Sequence, residues 1–458
     1  MRKPASPRAL LENMPHVTFS SAIAGLRAQL AASRSRMADA SEAAATAASL
    51  AAVAVHRRHI GDVSGAHAAH ADALHAFDLA RGSWSDDAAP DSPDAAGPLA
   101  RAACALVTAD VFHLFLESGS LGRRPATALD DESWLSGMVG AAHEIGRYAA
   151  NRATCGDTRS VEAAADVVSA LHDALALFDF RNGNLRRSFD SLKYVERRLE
   201  DTKYELSLFP PKGHGGAEMT TAHDGQTPLG EPDASYPLLL DTPALEAARE
   251  SYAAFDLLRE AAIKKCREPQ KSAKQAISAL HRGDADHAAA LLASAATIAA
   301  DVVAGECAQA PALRHQGFVS GMLEELAEAM LFQAWMHDGE LLPFEDTTLL
   351  GGVLLPSEYL GGCCDLVGEI GRYAVRRATE RDAEAVRKSL ASAIAIHSAM
   401  LSMAGLLPRG IAKKSDPLKQ AIRKLETLLY ELSLVERSGR TQREPSEWPS
   451  EPLPMSEN

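Results

Sequence analysis

The sequence predicts an all-α protein built as two tandem helical modules, and three observations predict it. First, the chain repeats itself. EIGRYA occurs at Glu144–Ala149 and again at Glu369–Ala374, and each copy is followed by Arg-Ala-Thr, at Arg152–Thr154 and Arg377–Thr379. At a similar distance downstream come TKYELSLF, ending at Phe209, and TLLYELSLV, ending at Val435. Two anchors in the same order, so far apart, mean a duplicated domain and not a short solenoid repeat. Second, alanine is abundant and aromatic residues make up only 5% of the 458 residues, a composition that suits closely packed helices. Third, apolar residues recur at helical spacing, and no run of alternating β-branched residues reads as a strand.

The elements follow in order. Residues 1–15 read as an extended leader with Pro4, Pro7 and Pro15, and residues 16–209 as the first module. A helix starts near Thr18 with Phe19, Ile23, Leu26 and Leu30 on one stripe, continues to His56-Arg57-Arg58-His59, and stops at Gly61. Helices follow at about 62–81 and 99–118, separated by an acidic, Pro-rich loop at 82–98. The first anchor is helical from about Glu132 to Ala153, and another helix covers about 160–180. Leu185, Phe189, Leu192, Val195, Leu199, Tyr204 and Leu206 then form a sustained stripe. Residues 210–240, rich in glycine and proline, read as a flexible linker.

The second module, 241–437, opens with a long helix carrying Lys264, Lys265, Arg267, Lys271 and Lys274 and closing at Arg282. Helices follow at about 284–308, 312–337, 356–379, 382–405 and 414–436, and 438–458 reads as a disordered tail. The six cysteines show no CxxC spacing, so they read as buried or incidental thiols in a reducing compartment, the cytoplasm with the nucleus as a second location. No secretory signal is expected at the N-terminus, and an organelle transit peptide stays open. No apolar run is read as reaching the roughly 18 residues of a membrane span, so no membrane partner is expected. The net charge of −14 argues weakly against nucleic-acid binding unless basic residues are gathered on one surface.

The chemistry is concentrated in the second module. Glu325 and Glu328 stand at i, i+3 on one helix, and Asp365 and Glu369 at i, i+4 on another. If these helices pack side by side, four carboxylates converge. Such a cluster repels itself unless a cation fills it, and hard oxygen ligands select Mg²⁺, Mn²⁺ or Ca²⁺. With Mg²⁺ the cluster suits phosphodiester hydrolysis. The bland reading is that acidic pairs on alanine-rich helices are solvated surface, and the same reading applies to His143, Cys363 and the HRRH run. Comparison of the modules separates the readings. Aligning EAMLFQAW with TADVFHLF sets Ala105 opposite Glu325 and Thr108 opposite Glu328. Aligning the EIGRYA copies sets Gly140 opposite Asp365 and Glu144 opposite Glu369. The first module keeps one carboxylate, which points to a structural role for Glu144 and Glu369, pairing with Arg147 and Arg372.

Several longer motifs resemble the family of translin and translin-associated factor X (TRAX). WLSGMVGAAHEIGRYAANRATCGD (134–157) and FRNGNLRRSFDSLKYVERRLEDTKYELSL (180–208) resemble translin. PSEYLGGCCDLVGE matches P-x-x-Y-L-x-G-x-x-D-L-x-G-E, EELAEAMLFQAW matches E-x-x-E-A-x-x-F-Q, and SAKQAISALHR resembles the end of the first TRAX helix. The resemblance implies a translin-like module fused to a TRAX-like module, each a seven-helix bundle. It implies a hollow oligomeric shell that binds single-stranded RNA or DNA. If the shell needs eight modules, four chains supply them, and a native mass near a monomer or dimer would count against this. It further implies a Mg²⁺-dependent endoribonuclease, with Mn²⁺ as a substitute, of the kind that processes passenger-strand or tRNA fragments and leaves a 5′-phosphate and a 3′-hydroxyl. Glu325, Glu328 and Asp365 take the catalytic and metal-binding roles, with Glu369 as a further ligand. Arg57, Arg58, Lys264, Lys265 and Lys271 are the candidate RNA contacts. The alternatives are a non-catalytic single-stranded nucleic-acid binding protein and an all-α interaction scaffold.

Overall fold

A computed structural model of the chain describes residues 17–83, 96–208, 229–230, 239–344 and 353–437. The leader, the tail, most of the linker and most of the acidic loop lie outside the described residues. Among the described residues there is no strand. The first half folds into α1 (Val17–His59), α2 (Val63–Ser83), α3 (Ala96–Ser118), α4 (Asp131–Thr154), α5 (Thr158–Ala176) and α6 (Asn184–Leu208). The second half folds into α7 (Thr242–Arg282), α8 (Ala285–Val302), α9 (Gly317–Asp338), α10 (Pro356–Thr379), α11 (Ala383–Ser402), the four-residue α12 (Arg409–Ala412) and α13 (Ser415–Arg437). A π-helical turn, Val303–Cys307, and a 3-10 turn, Pro311–His315, lie between α8 and α9.

The chain divides into two compact units. One comprises Ala28–Lys265 and Val302–Val319, and the other Met1–Arg27, Cys266–Asp301 and Ser320–Asn458. Both long helices, α1 and α7, therefore contribute to each unit. In α7, Pro269 stands inside the helix one turn beyond the Lys265/Cys266 boundary. Its ring and missing N–H weaken the helix ladder there.

The unit that contains α3 and α4 has a core of Leu106, Phe112, Phe115, Trp134, Leu135, Met138 and Tyr148, all no more than 2% exposed. Asp130 caps α4 by accepting the Ser133 N–H at 2.7 Å, while the Ser133 hydroxyl reaches back to the cap. On α6 the buried positions are Leu185, Leu192 and Leu199, one every seven residues, and Leu418, Leu425 and Leu432 repeat this on α13. Tyr204, placed on the same stripe by the sequence, is 64% exposed, because the seam is narrower than the helical pattern suggests. Of the linker, Gly230 N–H donates to the Leu116 carbonyl at 3.0 Å, and the Leu239 carbonyl accepts from Leu121 N–H at 3.0 Å.

The other unit is organised by α10. Pro356 occupies its first turn, where a missing N–H costs nothing. The Glu358 carboxylate turns back to accept the Leu355 N–H at 2.9 Å, and the Tyr359 hydroxyl donates to the Leu342 carbonyl at 2.7 Å. The start of PSEYLGG is thus a helix-entry device. Among the described residues, two helical stretches are long and apolar enough to cross a membrane, Gly97–Ser118 with mean hydropathy 1.6 and Ala285–Cys307 with 1.7. This corrects the expectation that no run reaches that length. Alanine-rich helices pass the test on composition, and much of the first stretch is buried in the core just described.

Candidate active site

The two acid-bearing helices, α9 and α10, meet closely because glycines stand between them. A Cβ at Gly362 would lie 2.8 Å from the Glu328 backbone nitrogen and 2.9 Å from the Ala327 Cβ. The first module uses the same device. There a Cβ at Gly137 would lie 2.5 Å from Val107 Cγ1. This approach brings Glu324, Glu325 and Glu328 on α9 toward Asp365 and Glu369 on α10.

The acids differ in what they meet. Lys274 Nζ of α7 is 3.1 Å from Glu325 Oε1. Lys414 Nζ donates to Asp365 Oδ2 at 2.6 Å and also to Glu324 Oε1. Glu369 Oε2 is 2.5 Å from His281 Nε2 and 3.6 Å from Arg372 Nη1. The His281 hydrogen bond holds the Glu369 carboxyl below its ordinary range, against the upward push of burial. Glu328 makes no ion pair among the described residues. Burial, then the negative charges of Asp365, Glu369 and Glu325, push its carboxyl up to about 8, with Lys414 offsetting only part. Burial also raises Glu324, against the pull of Lys414. Cys364 is pushed up to about 12 by burial, and Cys363 is raised as well, so both thiols stay protonated and serve as packing.

The first module repeats the framework without the acids. His59 Nε2 is 2.7 Å from Glu144 Oε2, and Arg147 Nη1 is 3.6 Å from the same oxygen. The His59 ring lies tilted against Phe112 at 4.8 Å between centroids, as the His281 ring does against Phe332 at 4.8 Å. At the position of Glu328 the Thr108 hydroxyl instead donates to backbone carbonyls of Cys104 at 2.9 Å and Gly137 at 3.1 Å. Glu144 and Glu369 therefore brace the helix frame in both copies. The expected arginine partners are present, and the closer histidines were missed. A signal existed: H-x-G-D recurs at His59–Asp62 and His281–Asp284, with Gly61 at φ 76° and Gly283 at φ 84° ending each helix.

A divalent ion, which the acidic pattern implies, can be tested against these residues. Among the described residues no three His, Cys, Asp or Glu side chains are drawn together at metal-ligand distances. The donors still have the right chemistry, all carboxylate oxygens. Glu328 is in addition a half-buried acid facing like charges and in no ion pair among the described residues, a conflict that a hard cation relieves. Glu325, Glu328 and Asp365 match such an ion in donor chemistry, although no three of these side chains are gathered at ligand distance. Glu369 fits less well, since His281 and Arg372 already engage its Oε2.

The expected RNA contacts separate. Arg58 is 6% exposed and lies 3.7 Å from Glu117, and Arg57 donates to the Gly65 carbonyl at 2.9 Å. Arg58 is a packing residue, because its helix face is covered, and His59 is buried beside it at 3%. The reading of HRRH as a solvated face therefore holds for His56 and fails for Arg58 and His59. Lys264 is exposed, and Lys265 Nζ lies 2.5 Å from Glu306. Lys271 lines a surface groove of about 390 Å³ with Arg267, Gln270, Lys274, Gln275 and Ser278. Because Lys274 also reaches Glu325, this basic groove runs to the acids within one unit.

Comparison with known proteins adds to this geometry. The family model described as "Translin family" matches residues 99–208 and 257–436, more than half of the chain. The chain is similar to translin of Gallus gallus, 31% identical over 111 residues, covering 21% of this chain and 48% of that protein. It is also similar to translin of Homo sapiens, 29% identical over 117 residues, covering 22% and 51%. The chain spans about half the length of these curated relatives. Among solved structures it is similar to AfC3PO, with TM-score 0.38 and 21% identity over 42% of this chain and 99% of that one. An AfC3PO–duplex RNA complex gives the same score and identity, covering 42% and 98%.

Proposed function

Because this chain belongs to the Translin family, we propose that it binds single-stranded RNA within an oligomeric shell and hydrolyses it in the second module. One observation carries the reading. Glu325, Glu328 and Asp365 stand on the neighbouring helices α9 and α10, near enough for the charges of Asp365 and Glu325 to act on Glu328, while the corresponding positions of the duplicated frame hold Ala105, Thr108 and Gly140. A frame that is stable without these acids has no structural need of them. A partly buried, like-charged set lowers stability and is retained for chemistry more readily than for packing.

In this reading the groove on α7 orients the RNA backbone through Lys271 and Arg267. Glu325, Glu328 and Asp365 would hold Mg²⁺ or Mn²⁺, which when bound activates water and neutralises phosphoryl charge. Until then the Glu328 carboxyl keeps a proton through neutral pH, which it loses when positive charge arrives beside it. His281 and Arg372 fix Glu369, and through it the register of α10.

The test is cleavage of an end-labelled single-stranded RNA in Mg²⁺ and in EDTA, by wild type and Glu328→Ala, with binding measured in parallel. The expected result is metal-dependent cleavage that falls at least about 100-fold in the variant while binding persists. Equal binding with no cleavage by either protein would sink the enzyme reading. It would leave the second one, a non-catalytic nucleic-acid binding protein. What favours that alternative is that Glu325, Asp365 and Glu369 already have side-chain cations beside them, Lys274, Lys414 and Arg372.

A further inference from the structure

Lys414 lies in none of the repeated motifs. It sits on the connection between α12 and α13, its backbone N–H donating to the Ile411 carbonyl at 2.9 Å and its carbonyl accepting from Leu418 N–H at 3.2 Å. Those bonds fix where the side chain starts. The ammonium then donates to Glu324 of α9 and to Asp365 of α10 at 2.6 Å, with the Gly361 carbonyl at 3.5 Å. One organic cation thus bridges the two acid-bearing helices.

Local structure does not account for a lysine here. Lys414 directly precedes the first residue of α13, and positive charge at a helix N-terminus opposes the helix dipole. Position-by-position comparison is informative too. Aligning Tyr204–Leu208 with Tyr430–Leu434 sets Ser188 opposite Lys414. The first module therefore lacks the lysine along with the acids, and the second holds both. Burial alone would lower the Lys414 ammonium, and the hydrogen bonds to Asp365 and Glu324 more than offset it, so the lysine stays charged.

We propose that Lys414 is the resident cation of this acidic site, and that a divalent ion binds only by taking its place on Asp365. The inference rests on the metal-binding reading above. Asp365 Oδ2 cannot serve an ammonium at hydrogen-bonding distance and a divalent ion at ligand distance together, because the two cations repel strongly so close. Lys414 therefore sets the divalent affinity low and keeps the acids neutralised when the ion is absent.

The experiment titrates Mn²⁺ against the full-length chain, reading free Mn²⁺ by electron paramagnetic resonance and the melting temperature in parallel. Wild type, Lys414→Met and Lys414→Arg are compared, with Lys414→Gln in reserve should the Met variant fail to fold. Removing the competing ammonium should tighten Mn²⁺ binding roughly five- to tenfold, the scale of a partly exposed ion pair. The Met variant should also melt lower than wild type without metal and regain more with it. Lys414→Arg should bind like wild type, and adding Glu328→Ala to Lys414→Met should abolish the tight binding. Equal Mn²⁺ affinity in wild type and the uncharged variants would overturn the role of Lys414 and leave the metal site standing. Absence of Mn²⁺ binding by every protein would overturn the metal-binding reading itself.

Discussion

A carboxyl group on a crowded helix face escapes its neighbours' negative charge by taking up a proton or a cation. Glu328 does the first, its carboxyl pushed up to about 8 by burial and by Asp365, Glu369 and Glu325. The sign of the resulting pH dependence follows. Between the ordinary glutamate range and about 8 the native state binds more protons than the unfolded chain, so stability falls as pH rises through that window. Glu328→Gln removes the effect. In EDTA the variant should match wild type near pH 4 and exceed it above pH 8 by about 2 kcal/mol, less than full linkage because solvent screens a partly exposed group. Denaturant melts across pH would show it, and a gap that does not widen with pH would contradict the placement. The sequence made Glu325, Glu328 and Asp365 legible through their spacing and the comparison of modules. It gave no sign that Lys414 or Lys274 would pair with these acids, because contacts to the start of α13 and to α7 cross long stretches of chain.

At the scale of the element, the repeated Arg-Ala-Thr acquires a purpose. Arg152 Nε donates to Asp157 Oδ2 at 2.9 Å, and Asp157 caps α5 by accepting the Ser160 N–H at 3.1 Å. Arg377 and Asp382 repeat the pair, and Asp382 caps α11 by accepting from Ala385 N–H at 3.0 Å. The arginine ties the end of one helix to the cap of the next. One of the differences at this corner falls on a left-handed residue. Gly156 has φ 71°, and its counterpart Arg381 has φ 60°, a left-handed conformation that costs a side-chain-bearing residue free energy. Arg381→Gly should therefore stabilise the protein by about 1 kcal/mol, read as a rise in melting temperature. A fall would mean that contacts of the arginine side chain outweigh the backbone strain. The motif was visible in the sequence, but the left-handed turn was not, since arginine at that position hides it.

For the whole molecule, the proposed binding of RNA has to be reconciled with a net charge of −14. The groove of Arg267, Lys271 and Lys274 gathers positive charge at i, i+4 and i+7 on α7. Lys271→Ala should weaken binding of single-stranded RNA and lower the slope of log affinity against log salt by about 0.7, the value for one phosphate contact on a single strand. An unchanged slope would remove Lys271 from the interface. Arg58, expected at such a surface, is packed inside its unit beside Glu117.

By itself the sequence determined the all-α class, the duplication, the helix order and the module that carries the acids. Periodicity and repetition are local properties, written in neighbouring residues. Tertiary structure decided which carboxylates gain a close partner and which residue supplies it: His59 for Glu144, His281 for Glu369, Lys414 for Asp365. It also decided that α1 and α7 each serve two units. Electrostatic energy depends on distance and burial in three dimensions, and residues far apart along the chain supply both.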